Sequence, residues 1–170
     1  MVDVQDVVAS LQAKDDIATL KHRYVRALEE RDWDAWADCF TEKVTAQFMP
    51  PPGGTESEVH RSRAGLRGWV EGALEGVFVV IRVSMPVIEL LDDRRARADW
   101  AQVERLTPVE GPVRDATYYG YYHDTYEKGD DGRWRISSLS MTRLRHDTVD
   151  REGRSEVHSD LAARLARPER

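Results

Sequence analysis

The hydrophobic period of this chain changes once, from the three-to-four-residue spacing of helices to the two-residue spacing of strands, and that change constrains the fold more than any other feature. Before it, Ile17, Leu20, Tyr24, Ala27 and Leu28 recur at helical spacing, and Asp15 or Asp16 offers a cap. The pattern predicts a helix over 16–30 with one stripe facing a core. Asp32 starts a second, short helix through Phe40 that makes Trp33, Trp36 and Phe40 available for burial. A strand is expected over Val44–Met49, ended by Pro50, Pro51, Pro52, Gly53 and Gly54, which open a loop to about Ser62. Ser62 then caps a third helix to Leu74, in which Leu66, Trp69, Val70 and Ala73 keep helical spacing despite three glycines.

After Gly76 the chain turns to β-branched and alternating residues. Strands are expected over Val77–Val83, Val87–Leu91, Arg95–Leu106, Ala116–Glu127 and Trp134–Leu144, with turns at Asp92-Asp93 and at 129–132. Helices gathered ahead of an antiparallel meander define an α+β fold, and the absence of βα alternation gives no sign of a parallel sheet. The 170 residues suit one domain, read as 1–150, followed by a tail over 151–170 that is partly helical or disordered.

Tyr118, Tyr119, Tyr121 and Tyr122 fall on both faces of one strand, as do Phe78, Val79, Val80 and Ile81 on another, so both sheet faces need cover. The helices cover one. The other is expected to pack on another subunit, giving a homodimer or homotrimer.

The net charge of −6, with arginines interleaved among acids, argues against nucleic acid as a partner. No apolar run approaches the roughly 20 residues that span a bilayer, and the N-terminus lacks a secretory layout, so a cytoplasmic protein without membrane association is expected. The single cysteine, Cys39, has no partner for an intramolecular disulfide and reads as a small packed group beside Phe40. His22, His60, His146 and His158 share no metal-ligand spacing, and no phosphate loop or nucleophile elbow is present.

The segment IATLKHRYVRALEERDWDAWADCF, in which Tyr24 is followed five positions on by Glu29 and then by an Asp-Trp-Asp helix start, resembles the opening of SnoaL-like proteins of the nuclear transport factor 2-like superfamily. PVIEL with DDRRARADW, and YYHDTYEKGDDGRWRIS, resemble that family's central and closing strands, so the likeness spans roughly 16–146. It implies a cone-shaped, curved antiparallel sheet whose N-terminal helices enclose a deep pocket. Across the group it implies activities such as scytalone dehydratase, hexachlorocyclohexane dehydrochlorinase, bile acid dehydratase, polyketide cyclase and, more distantly, steroid isomerase. In the dehydratases an Asp near the end of the first helix works with a His on the following long strand. Here the acid position carries Glu29 and the strand position falls at Ile81 or Arg82, neither of which can serve as that His.

Each candidate residue carries two readings. Glu29 is a general acid or base if it points into an apolar pocket, or a surface partner of Arg26. Tyr24 is an oxyanion donor or a core tyrosine with a satisfied hydroxyl. Arg82, alone among apolar strand residues, binds an anionic or carbonyl oxygen, or pairs with Glu29. His123 is a proton-transfer group or an interfacial histidine; alternation groups it with Tyr119 and Tyr121, opposite Tyr122 and Asp124. Asp124 acts on a substrate or pairs with an arginine. Trp100, Phe48 and Ile81 are read with the pocket wall, as are Met49, Trp69 and Met85. Together these residues predict a pocket for a small hydrophobic, cyclic molecule and a lyase or isomerase that works without cofactor or metal. The competing expectation is a non-catalytic binding or oligomerising module.

Overall fold

The computed structural model describes residues 3–48, 59–109, 114–150 and 153–159. The chain opens with α1, Val4–Glu30, capped by the Asp3 carboxylate on the Gln5 amide at 2.9 Å. The helix thus begins well before residue 16. Val4, Val7, Val8 and Leu11 also keep helical spacing, but they face solvent, so they do not continue the buried stripe of Ile17, Leu20, Tyr24 and Leu28. Arg31 ends the helix in the left-handed region, at φ 61°, and its N–H closes on the carbonyls of Ala27 and Leu28.

Asp32 caps α2, Trp33–Asp38, through the Ala35 amide at 3.0 Å, and β1, Phe40–Gln47, follows at once. The two-residue β2, Val59–His60, leads to α3, Arg63–Ala73, capped by Ser62 Oγ on the Gly65 amide at 3.2 Å. Then come β3, Val77–Leu90; β4, Arg95–Pro108; β5, Arg114–Lys128; and β6, Trp134–Asp150. The strand β7 spans Ser155–Ser159 and pairs with β6, so this part of the expected tail is strand rather than helix; the rest of the tail lies outside the described residues, as do Met49 and the loop to residue 58.

The curved, unclosed sheet runs in the order β2-β1-β6-β5-β4-β3. Its long strands form the expected antiparallel meander, but β1 joins β6 in parallel, a pairing the sequence reading did not foresee. The chain leaves α2 directly into the sheet, where the Ile136 amide donates to the Cys39 carbonyl at 2.8 Å, so no crossover helix of the βα kind was needed to signal it. The two expected strands Val77–Val83 and Val87–Leu91 are one, β3, interrupted by a bulge between Ser84 and Val87 where Met85 takes φ 49°. Pro86 is tolerated because the bulge lies on an edge strand.

Side chains alternate as strands require. Ala96, Ala98, Trp100 and Gln102 of β4, Tyr122, Asp124 and Tyr126 of β5, and Ile136, Leu139 and Met141 of β6 face inward onto α1 and are buried. Tyr24 holds the centre, with its ring edge-on to Phe40 at 5.7 Å and to Tyr122 at 6.2 Å, and Trp36 closes against Phe40 at 4.7 Å. Gly120 is required where β5 meets the irregular turn of β6: a Cβ there would sit 1.9 Å from the Thr142 carbonyl oxygen.

Candidate active site

Helix α1, helix α3 and the inner face of the sheet leave a cavity of about 140 Å³. Its apolar wall is built by Leu28 of α1, Phe48, Trp69, Val70, Ala73 and Leu74 at and around α3, Ile81 of β3 and Leu106 of β4. Trp69 stacks on Phe48 with centroids 5.0 Å apart, which fixes the aromatic side of the wall. Four polar side chains complete it: Tyr24, Tyr122, Glu104 and Arg143.

The polar groups fall into two layers. Deepest lies Lys21, fully buried, whose Nζ donates to Asp124 Oδ2 at 2.7 Å. The same carboxylate oxygen accepts from the Tyr126 hydroxyl at 2.8 Å, and that hydroxyl accepts from Trp100 Nε1 at 3.0 Å. Burial outweighs the carboxylate and pulls the Lys21 pKa down. Its ammonium lies 3.7 Å from the Tyr122 ring centroid and 4.6 Å from that of Tyr24, so the deep pair supports the two phenols that face the cavity. Burial raises the Tyr24 and Tyr122 phenols well above their usual pKa, so both stay protonated donors.

The second layer borders the cavity directly. Glu104, on the inner face of β4, meets Arg143 of β6 through a long contact, Nη2 to Oε2 at 3.4 Å, with both side chains 13% exposed. Burial raises the Glu104 pKa from its ordinary value, with Arg143 opposing in part. The Arg143 guanidinium lies 3.9 Å from the Tyr118 ring centroid, and Tyr118 stacks on His146 at 4.5 Å with planes 10° apart. A desolvated carboxylate beside two phenol donors in an apolar cavity can exchange a proton with a bound carbon or oxygen and hold the charge that results. Among the described residues no group of three or more His, Cys, Asp or Glu could hold a metal ion, and no helix is long and apolar enough to cross a membrane.

The sequence-predicted residues distribute unevenly around this cavity. Tyr24, Phe48 and Ile81 line it. Trp100 and Asp124 lie behind it in the deep layer, where Asp124 is paired with Lys21 rather than with the arginine expected. Glu29 does not line it: its Oε1 accepts from the Ile81 amide and from Arg82 Nη1, each at 2.7 Å, so the carboxylate serves the edge of β3 and pairs with Arg82. His123 departs furthest from the expected pocket role. Strand alternation sets it on the outer face, where Nδ1 meets Asp99 at 2.7 Å and Nε2 meets Thr142 at 2.9 Å. Lys21, Glu104 and Arg143 were missed. Lys21 sits on the buried stripe four residues after Ile17, and Glu104 shares the parity of Trp100 and Leu106, so spacing marked both as inward charges. Arg143 shares the parity of the buried Leu139 and Met141, but an irregularity between Ile136 and Ser138 puts it out of step with Trp134 and Ile136, so the strand pattern gave conflicting signals.

A family model described as a SnoaL-like domain matches residues 9–140, and the chain belongs to that family. Its fold is that of the nuclear transport factor 2-like superfamily. A candidate scytalone dehydratase from Novosphingobium aromaticivorans superposes with a TM-score of 0.72 at 18% identity, over 96% of this chain and 99% of that one. A type 2 hexachlorocyclohexane dehydrochlorinase, LinA, gives 0.70 at 14% identity, over 84% and 92%. A variant of Rv3472, a protein of unknown function from Mycobacterium tuberculosis, gives 0.67 at 26% identity, over 81% and 75%. No curated protein sequence matches the chain.

Proposed function

We propose that this protein is a cofactor-independent lyase or isomerase that moves a proton on a small, cyclic, largely apolar substrate held in the cavity. The observation that carries this reading is Glu104: a carboxyl group whose pKa burial raises, facing an apolar cavity whose other polar groups are hydrogen-bond donors. Glu104 takes a proton from the carbon beside a substrate carbonyl. The electron pair moves to the carbonyl oxygen, which the Tyr24 or Tyr122 hydroxyl stabilises. Return of the proton to another carbon gives an isomer; its delivery to a departing hydroxyl gives water and a double bond. The names of the structural neighbours, a candidate dehydratase and a dehydrochlorinase, support the same class.

The test uses cyclohexanone in deuterium oxide, with α-deuteration followed by NMR. Wild-type protein is expected to exchange the α-protons about a hundredfold faster than Glu104→Gln. Equal rates for the two would remove Glu104 from the mechanism. The second reading, a binding module without the family's Asp/His pair, rests on the engagement of Glu29 with Ile81 and Arg82. It predicts cyclohexanone binding with no exchange above background in either protein. A homodimer or homotrimer through the outer face of the sheet belongs to the same proposal, supported by the exposed Phe78, Val103 and Tyr121 there.

A further inference from the structure

The cavity is small, and its one cation is incompletely used among the described residues. A volume of about 140 Å³ is close to the roughly 150 Å³ of an engineered apolar cavity that takes up benzene, so it has room for one ring and not for two fused rings. Arg143 presents a planar fork of donors, yet its contact with Glu104 is a single long one at 3.4 Å, and its buried Nε has no hydrogen-bond partner among the described residues. The guanidinium plane is fixed from behind by Tyr118, itself stacked on His146. A buried, oriented fork with an unfilled edge suits the two parallel hydrogen bonds of a carboxylate.

We propose that the cavity is a binding site for one-ring carboxylates, with the ring between Phe48-Trp69 and Ile81 and the carboxylate on Arg143 in place of Glu104. The inference rests on the same cavity as the proposed activity and adds a means of regulating it. The ligand's charge replaces that of Glu104 on the guanidinium. Glu104 then loses its cation and gains an anionic neighbour, and it takes up a proton as the ligand enters, which leaves the net charge of the cavity unchanged. The other groups near it do not compete for that proton: Tyr24, Tyr118 and Tyr122 are phenols already protonated, and the Lys21–Asp124 pair lies beyond Tyr122. His146 stands behind Tyr118. A protonated Glu104 cannot act as a base, so carboxylate binding and ketone turnover exclude one another.

Calorimetry on the full chain tests this with benzoate, benzamide and 2-naphthoate. Benzoate is expected to bind roughly tenfold or more tightly than benzamide, its neutral counterpart, and than 2-naphthoate. Repeating the titration in buffers of different ionisation enthalpy should reveal uptake of about one proton per benzoate. Arg143→Met should remove the preference for benzoate over benzamide, and Arg143→Lys, which keeps the charge, should lose most of it with the fold intact. Glu104→Gln should bind benzoate without taking up a proton. Benzamide or 2-naphthoate binding as tightly as benzoate, or benzoate binding to wild type with no proton uptake, would overturn the proposal. These readouts do not depend on turnover: the exchange activity can fail while the carboxylate site stands, and the reverse.

Discussion

Lys21 and Asp124 form an ion pair with no solvent contact, one partner from α1 and the other from β5, and Asp124 Oδ1 has no further hydrogen-bond partner among the described residues. Such a pair contributes little net stability, but removing one member leaves a buried charge uncompensated. Lys21→Met is therefore expected to cost about 3–5 kcal/mol in urea unfolding, and the double variant Lys21→Met/Asp124→Leu to recover most of that loss. A single variant as stable as wild type would show that breaking the pair carries no such cost. The pair also marks how far residue-level reading reached. The stripe that placed Tyr24 inward placed Lys21 there too, because both lie on one helical face. Spacing alone gave Asp124 its face relative to Tyr122 but not its partner, since 103 positions separate it from Lys21. Arg143 was ambiguous for a different reason: it is in step with Leu139 and Met141 but, because of the register shift between Ile136 and Ser138, out of step with Trp134 and Ile136 at the start of the same strand.

At the scale of elements, the end of α1 is tied to the outermost strand by two side chains, Glu29 and Arg31, two positions apart in sequence. Glu29 receives the Ile81 amide at 2.7 Å, and Arg31 donates to the Val77 carbonyl. Glu29→Gln keeps the shape and weakens the charge-assisted bond, so a loss of about 1 kcal/mol is expected, with faster hydrogen exchange at the Ile81 amide. Arg82→Ala should change stability by less than about 1 kcal/mol, because its guanidinium is mostly exposed. If Arg82→Ala cost more than Glu29→Gln, the carboxylate would be holding the arginine rather than the strand. The elements themselves were legible because their signals are local: capping residues at Asp32 and Ser62, the helical stripe of α1, and the turn at 129–132. The early start of α1 and the unity of β3 were not. An exposed apolar face has no core to confirm it, and Pro86 reads as a break unless the bulge that accommodates it is known.

For the whole molecule, the two faces of the sheet divide the work. The inner face holds the cavity and both polar layers; the outer face carries His123 with Asp99 and Thr142, together with the exposed rings of Phe78, Tyr119 and Tyr121. Assembly through that face predicts a sedimentation velocity above that of a monomer for the wild-type chain. Tyr121→Glu, which places a charge among those rings, should shift the protein toward monomer without altering the inner cavity. A wild-type chain that sediments as a monomer at all concentrations would leave the face to another partner. The layer order and the helical cover followed from the order of elements along the chain, whereas the parallel β1–β6 pairing depended on where the short α2 releases the chain.

The bonds from Glu29 and Arg31 to β3 have a consequence for the fate of this protein at high concentration. An unpaired outer strand is a template on which another chain can add, and chains that add edge to edge become fibres. Here the end of α1 occupies two backbone groups in the first half of β3, the Val77 carbonyl and the Ile81 amide, and the second half is bent by the bulge and deprived of a donor at Pro86. The opposite border includes two short strands, β2 of two residues and β7 of five, the latter paired with the far part of β6. The β3 margin is thereby a poor template for growth, which favours contacts through the faces, and those can end in small closed assemblies rather than open ones.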